Sequence, residues 1–332
     1  MAIAPLAVGL AALSAASANA AYTYTEIQDP NAADFTILNG INNNNEIVGF
    51  YSAADGSGEH SFIYHNGVFN NIDNPLWSLT AQGINDHGVV VGYYETKNSL
   101  GPTVGFTYSN GMFNTLNDPL ATGGLGTRPL GINNAGDIVG LFEDNIGIHG
   151  FYYDGNSFTT LDDPNAINYA NGDYTFAYGV NNDGSIVGTY GHQGKNKAFI
   201  LNSGIYTDII HSSTTLDTQA YGLNDVGQIV GEYSGSLDCH SLCGYVLKGG
   251  VFTNIVDDIT TTANGINDLG TIVGWSEHGS GSRGFIATPT PEPPPPPIPT
   301  PEPATWAMML VGFGGMGAAI RSRRKLALLS TD

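Results

Sequence analysis

The residues with the most reactive chemistry are two cysteines, Cys239 and Cys243, spaced Cys-x-x-x-Cys around His240. In an oxidising compartment this spacing favours a local disulfide, and so small a loop gives it only modest stabilising power. A metal pair with His240 would need a fourth ligand from elsewhere, because three donors in one loop do not complete a structural zinc site. The eight histidines are His60, His65, His87, His149, His192, His211, His240 and His278. None forms a His-x-x-x-His or His-Glu-x-x-His pair, and no Gly-x-Ser-x-Gly elbow or Walker glycine loop is present. His60 and His149 share a repeat column, so both can face one surface, although packing is the commoner role. Turn positions carry Asp86, Asp183, Asp225 and Asp268. They lack the oxygen count and distal Glu of an EF-hand, so turn formation is the expected role. Calcium stays open at an acidic channel or at Asp162-Asp163 and Asp257-Asp258; no other cofactor and no fixed metal site is indicated. Recurrent aromatics, Tyr51, Tyr94, Phe142, Tyr190 and Tyr233, read as packing between units. Trp77 lies outside the repeat and is the better candidate for an exposed contact.

The elements that must position these residues come from a repeat. Gly-Ile-Asn or a close variant occurs at Gly40, Gly83, Gly131, Gly179, Gly222 and Gly265, at offsets of 43, 48, 48, 43 and 43 residues. After it comes Asn/Asp-x-Gly-x-Ile-Val-Gly-x-Tyr, then Gly-Phe-x-Tyr-x-x-Gly-x-Phe-x-x-Leu-x-Asp-Pro, best kept from Gly105 and Gly150. Each unit yields four short strands, and four strands in about 45 residues is the pitch of a propeller blade. Repeat six stops after Gly284-Phe285-Ile286-Ala287 and lacks its fourth strand. The segment from Tyr22 to Ala32 resembles the fourth strand of repeat three, Phe158 to Ala166, and both end on Asp-Pro-Asn-Ala. Residues 22–28 are therefore expected to complete the last sheet and hide its edge. The expected fold is all-β, a six-bladed β-propeller closed by its N-terminal strand.

The repeats resemble a family of extracellular repeats named after a His-Ala-Phe signature, over residues 22–288 and mainly on the Gly-Ile-Asn half. Its column reads His60-Ser61-Phe62, Val104-Gly105-Phe106, His149-Gly150-Phe151, Lys197-Ala198-Phe199, Cys243-Gly244-Tyr245 and Arg283-Gly284-Phe285. No copy carries all three letters. That family is associated with secretion and implies little about chemistry.

Composition narrows the function classes. Residues 21–303 hold six basic residues against 29 acidic ones. So acidic a surface repels nucleic acid and anionic headgroups, and suits solubility or a cation-bridged matrix. Abundant Gly, Asn, Thr and Tyr suit tight-turned β structure.

Both ends read as addresses. Ile3 to Ala16 is apolar and Ala18-Asn19-Ala20 is a small-x-small cleavage pattern, which makes residues 1–20 a signal peptide, although no Lys or Arg precedes the apolar run. The repeats occupy residues 21–288 and a Pro-rich linker residues 289–303. Residues 304–325 form the hydrophobic segment, and residues 326–332 a cytoplasmic tail. Trp306 to Ile320 is 15 residues without a charge. As a helix it reaches roughly 22 Å, short of the ~30 Å hydrocarbon core, and Ala304 and Thr305 bring it to the low edge of a span. Arg321, Arg323, Arg324 and Lys325 suit the cytoplasmic side. Pro301-Glu302-Pro303, then Trp306 and the basic stop, resembles the PEP-CTERM sorting signal of Gram-negative bacteria. The resemblance covers residues 300–325. It implies a single sorting helix in the membrane before processing, and an exosortase as the partner that cleaves near Pro301-Glu302-Pro303.

A dual export signal, a rigid repeat scaffold and no catalytic constellation point to a non-enzymatic module at the cell surface or in an extracellular polysaccharide matrix. Its specificity would lie in the connections from Asn165 to Phe176 and from Ser234 to Cys243. Two alternatives stand beside it: a glycan hydrolase or lyase using channel carboxylates, and a calcium-dependent structural element.

Overall fold

The computed structural model describes residues 22–74, 77–96, 101–166, 169, 172–211, 217–234, 241–255, 260–279, 281–291 and 311. Two units emerge, Met1–Thr290 and Pro291–Asp332. The expected signal peptide, most of the Pro-rich linker and, but for Val311, the sorting helix lie outside the described residues. Among those described, no helix is long and apolar enough to cross a membrane.

Among the described residues the first unit holds 24 strands. β1 (Tyr22–Ile27) precedes the repeats. The first repeat supplies β2 (Ala32–Ile41), β3 (Ile47–Ala53), β4 (Glu59–His65) and β5 (Val68–Asn71). The second supplies β6 (Trp77–Ile84), β7 (Val90–Thr96), β8 (Val104–Ser109) and β9 (Met112–Leu116). In the third are β10 (Thr127–Ile132), β11 (Ile138–Glu143), β12 (Ile148–Tyr153) and β13 (Phe158–Leu161). The fourth gives β14 (Tyr174–Val180), β15 (Ile186–His192), β16 (Lys195–Asn202) and β17 (Ile205–Ile209). β18 (Thr218–Leu223), β19 (Ile229–Ser234), β20 (Leu242–Lys248) and β21 (Val251–Ile255) form the fifth. The sixth has three strands, β22 (Thr261–Ile266), β23 (Ile272–His278) and β24 (Gly281–Pro289).

Within each repeat the strands pair antiparallel in sequence order. The sixth repeat takes its fourth strand from the other end of the unit. β1 runs antiparallel to β24 over six residues, from Tyr22 opposite Pro289 to Ile27 opposite Gly284. Six four-stranded groups result. Single-residue parallel bridges, Phe35 to Ser282 and Ile148 to Tyr174, stitch two pairs of groups into eight-stranded sheets.

Two sequence steps explain the packing. The first is Gly-Ile-Asn at the end of each first strand. A methyl on Gly131 would sit 2.5 Å from the carbonyl oxygen of Tyr178, and one on Gly265 would sit 3.0 Å from that of Asn39. Backbones of successive groups approach too closely there for any Cβ. The Asn then works twice. Its Oδ1 accepts amides of its own turn, as Asn133 does from Asp137 at 2.9 Å. Its Nδ2 donates to the next repeat's carbonyl: Asn42 to Asn85, Asn85 to Asn133, Asn133 to Asn181, Asn181 to Asn224, Asn224 to Asn267, and Asn267 back to Asn42, at 2.9 to 3.3 Å.

The second step is the aromatic pair on the third and fourth strands. Phe62 meets Phe69, Phe106 meets Phe113, Phe151 meets Phe158, Phe199 meets Tyr206 and Tyr245 meets Phe252, with centroids 4.9 to 5.4 Å apart. In the sixth group Phe285 meets Tyr24 of β1 at 6.1 Å. Apolar clusters lie between successive groups. One joins Val48 of the first to Leu79 and Phe106 of the second, and another joins Val273 of the sixth to Leu38 and Phe62 of the first. Tyr51, Tyr94, Phe142, Tyr190 and Tyr233 are all buried in this packing.

Candidate functional site

The six first strands line one axial channel, and its two ends differ in kind. Where those strands finish, the channel repeats. A space of about 70 Å³ is lined by the Ile-Asn-Asn/Asp step of every repeat. Outside the buried asparagines lies a second ring: Asn43, Asp86, Asn134, Asn182, Asp225 and Asp268. Each backbone N–H donates to the next side-chain oxygen at 2.7 to 2.9 Å, and Asp268 returns the chain of bonds to Asn43. Burial works against the Asp86 charge, but the Asn43 backbone and the Asn134 and Asn43 amides outweigh it and hold that carboxyl below the usual range. The aspartates here are turn formers whose oxygens receive N–H bonds. Among the described residues no three His, Cys, Asp or Glu side chains gather as a metal site.

Three residues back along the same strands, the repeat breaks down. The column just before the axial glycine reads Asn39, Gln82, Leu130, Tyr178, Tyr221 and Asn264. Tyr178 and Tyr221 meet edge to face at 4.9 Å, Phe176 lies 5.8 Å from Tyr178, and Tyr174 stacks on Phe176 at 4.3 Å. Arg128 lies 4.6 Å over the Tyr93 ring. Glu232 on β19 is buried among these first strands. Its Oε1 accepts from Gln219 Nε2 at 2.8 Å and from the Tyr221 hydroxyl at 2.9 Å, and its Oε2 accepts from Thr262 Oγ1 at 2.6 Å. Burial raises its pKa, and the three donors only partly offset that. Burial also pushes the Tyr178 and Tyr221 phenols well up, so both keep their protons. The mouth thus presents aromatic edges, phenols and amides, and the buried Glu232 holds the Tyr221 hydroxyl from behind. Such a set suits stacking and hydrogen bonding to a polyhydroxylated ligand. Glu232 was not singled out from sequence. Its signal was there, since the same column elsewhere reads Phe50, Tyr93, Leu141, Thr189 and Trp275.

The paired histidines sit farther out. His60 stacks on Tyr51 and His149 on Phe142, at 5.5 and 5.2 Å. Each has an aspartate beside Nδ1: Asp73 at 3.0 Å from His60 and Asp162 at 2.9 Å from His149. Nε2 of His149 meets Asp144 at 3.3 Å, whereas Nε2 of His60 meets Ser57 Oγ at 2.7 Å. Ser57, His60 and Asp73 therefore have the order of a hydrolytic triad. Ser57 Oγ also donates a hydrogen bond to Asp55 at 2.5 Å, and His60 Nδ1 makes no hydrogen bond to Asp73 despite the short distance, so the set lacks the linkage of general-base activation. His211 stacks on Tyr233 at 4.0 Å, and His192 Nδ1 lies 3.6 Å from Asp173.

Cys243 is buried and disulfide-bonded. Cys239 and His240 lie outside the described residues, as do Asp257, Asp258 and the tail positions Pro301, Glu302, Pro303, Trp306, Arg321, Arg323 and Arg324. Nothing is described of the Trp77 side chain.

Residues 299–325 match the PEP-CTERM protein-sorting motif. No curated protein matches the chain. Among solved structures, a protein of unknown function from Dyadobacter fermentans is 12% identical, with 80% of this chain and 98% of that one covered and a TM-score of 0.50. A triple Arg-to-Ala mutant of AofleA from Arthrobotrys oligospora is 15% identical, with 77% and 84% covered and a TM-score of 0.46. The first likeness concerns the fold alone, and the second is too slight to add to it. The chain carries a PEP-CTERM sorting motif at its C-terminal end, which implies handling by an exosortase and export to the cell surface.

Proposed function

We propose that this chain is an exported, non-enzymatic binding module of the cell surface or extracellular matrix. Its scaffold is a six-bladed β-propeller of His-Ala-Phe-type repeats, closed by β1, and its C-terminal helix is the segment the sorting enzyme acts on. Its ligand is extracellular polysaccharide, bound at the channel mouth that Tyr178 and Tyr221 line. The observation that carries this is the contrast between the two channel ends. One end repeats in all six blades and holds the scaffold together. The other keeps the same backbone but fills it with Gln82, Tyr178, Tyr221 and Asn264, backed by the buried Glu232, residues that scaffolding alone does not require. A ligand that stacks and hydrogen-bonds gives that variation a purpose.

The test is co-sedimentation of the mature extracellular form with matrix polysaccharide, compared with Tyr221→Ala and Glu232→Gln. Binding that both variants weaken is expected; no binding by the native form sinks the reading. One feature favours an enzyme instead, namely a buried Glu232 whose pKa burial raises, as a general acid requires. Depolymerisation of the bound glycan, lost in Glu232→Gln, would make that reading the better one.

A further inference from the structure

We propose that the cleft between the fourth and fifth blades binds a single residue of a neutral sugar. This rests on the glycan-binding reading above and adds a second site away from the axis. The cleft encloses about 350 Å³, within the range of small-molecule sites. Lys195, Asn196 and Lys197 of β16, Asp208 and Ile209 of β17 and Thr218 of β18 line it.

Its polar groups are held in place before any ligand arrives. The Lys197 ammonium lies 5.8 Å from the centroid of the Tyr190 ring. The Tyr190 hydroxyl donates to Asp208 Oδ1 at 3.1 Å. One buried tyrosine therefore separates a cation from a carboxylate and holds both. Asn196 is fixed from two sides: its Oδ1 accepts from the Tyr174 hydroxyl, and its backbone N–H donates to Asp217 Oδ1 at 2.6 Å. The Asn196 Nδ2 hydrogens remain as donors. Ile209 and the exposed Ile210 add an apolar wall of the kind that meets the C–H face of a pyranose.

The charge pattern selects the ligand class. Two of the six basic residues between 21 and 303 stand in this wall. Asp208 in the wall and Asp217 beside it offset them, so no surplus charge draws an anion. Ammonium and amide donors alternate with carboxylate acceptors, and a sugar hydroxyl, which both donates and accepts, matches each of them. The other blades do not reproduce this set. The equivalent pairs are His60 with Asn71, Val104 with Thr115, His149 with Thr160, Cys243 with Asn254 and Arg283 with Glu26. Only the last carries opposite charges, and there Arg283 and Glu26 pair directly with each other.

The mature extracellular form, with Lys195→Gln and Asp208→Asn beside it, is titrated by saturation-transfer NMR. The probes are neutral hexoses, their short oligomers, and glucuronic acid as the anionic control; melting temperatures are taken in parallel. The expected result is neutral-sugar binding that each variant weakens about tenfold, the size of one charge-assisted hydrogen bond, with little change in melting temperature. Tighter binding of glucuronic acid than of its neutral parent overturns the proposal. So does neutral-sugar binding that both variants leave unchanged. If matrix polysaccharide still co-sediments while both variants bind like the native form, the cleft fails and the axial reading stands. If neither polymer nor sugar binds, the axial reading fails and the cleft with it.

Discussion

Glu232 stands where a β-strand that crosses the interior offers a carboxylate little water. Its three donors let it stay buried, yet its pKa is raised chiefly by desolvation. A group whose folded pKa lies above the unfolded one contributes most below the unfolded value, near 4.5 for Glu, and that contribution is lost as pH rises through the folded value. Glu232→Gln removes this loss, so the variant is expected to melt above the native protein at pH 8 and close to it at pH 4. Glu232→Ala strands Gln219, Tyr221 and Thr262 without their acceptor and is expected to cost about 1–3 kcal/mol by denaturant titration. Asp118 and Asp163 obey the same logic. Each is buried with its Oδ2 unpartnered, and burial pushes both carboxyls up. The contribution of these three carboxyls is therefore expected to fall from pH 4 towards neutrality, opposite in sign to that of Asp86, whose carboxyl is held down. At the opposite channel end, oxygens of Asp86, Asp225 and Asp268 already receive N–H bonds. EDTA is expected to leave the melting temperature unchanged, and a drop of several degrees would assign the calcium role instead.

The first strands and their hairpins convert the repeat into a scaffold. Gly131→Ala places a methyl against the Tyr178 carbonyl, an overpacking expected to cost about 1–3 kcal/mol. Gly136 is a different case, because its φ of 91° is the problem and its surroundings are open. Asn133→Ala loses both the turn acceptor and the donor to Asn181, and a loss of about 1–3 kcal/mol is expected, against a few tenths for exposed Asn156→Ala. These elements were legible in the sequence because their chemistry is local. Gly-Ile-Asn, the turn and the Ile-Val-Gly strand recur at near-constant spacing, so each repeat states its own hairpin. Glu232 was not legible in that way. Its meaning depends on Gln219 and Tyr221, which the paired strand β18 brings beside it, and on Thr262, thirty residues away on the next sheet, and no repeat pattern announces that set.

The union of first and last strands governs the molecule as a whole. β1 covers the edge of β24 and places Tyr24 on Phe285, a residue with no exposed surface. Deleting residues 22–27 uncovers that edge and that ring. The truncated protein is expected to lose several kcal/mol of stability or to aggregate, as read by melting and size-exclusion chromatography. A truncation that melts like the native protein would separate β1 from the architecture. The two channel ends assign different work to the two faces. Changes at the asparagine ring should act on stability, and changes at Tyr221 or Lys195 on binding.

The sequence by itself determined the repeat, its four short strands, the strand missing from repeat six and the sorting address at the tail. All of these are carried by neighbours along the chain or by near-identity between copies. Only the tertiary structure decided that the turn aspartates link one repeat to the next, that Ser57 donates its hydrogen bond to Asp55, and that Glu232 and the Lys197–Tyr190–Asp208 set each assemble at a defined place. The reason is physical. A hairpin is stabilised by bonds a few residues apart, whereas burial, desolvation and donor geometry at a site depend on side chains that approach only after the sheets have packed.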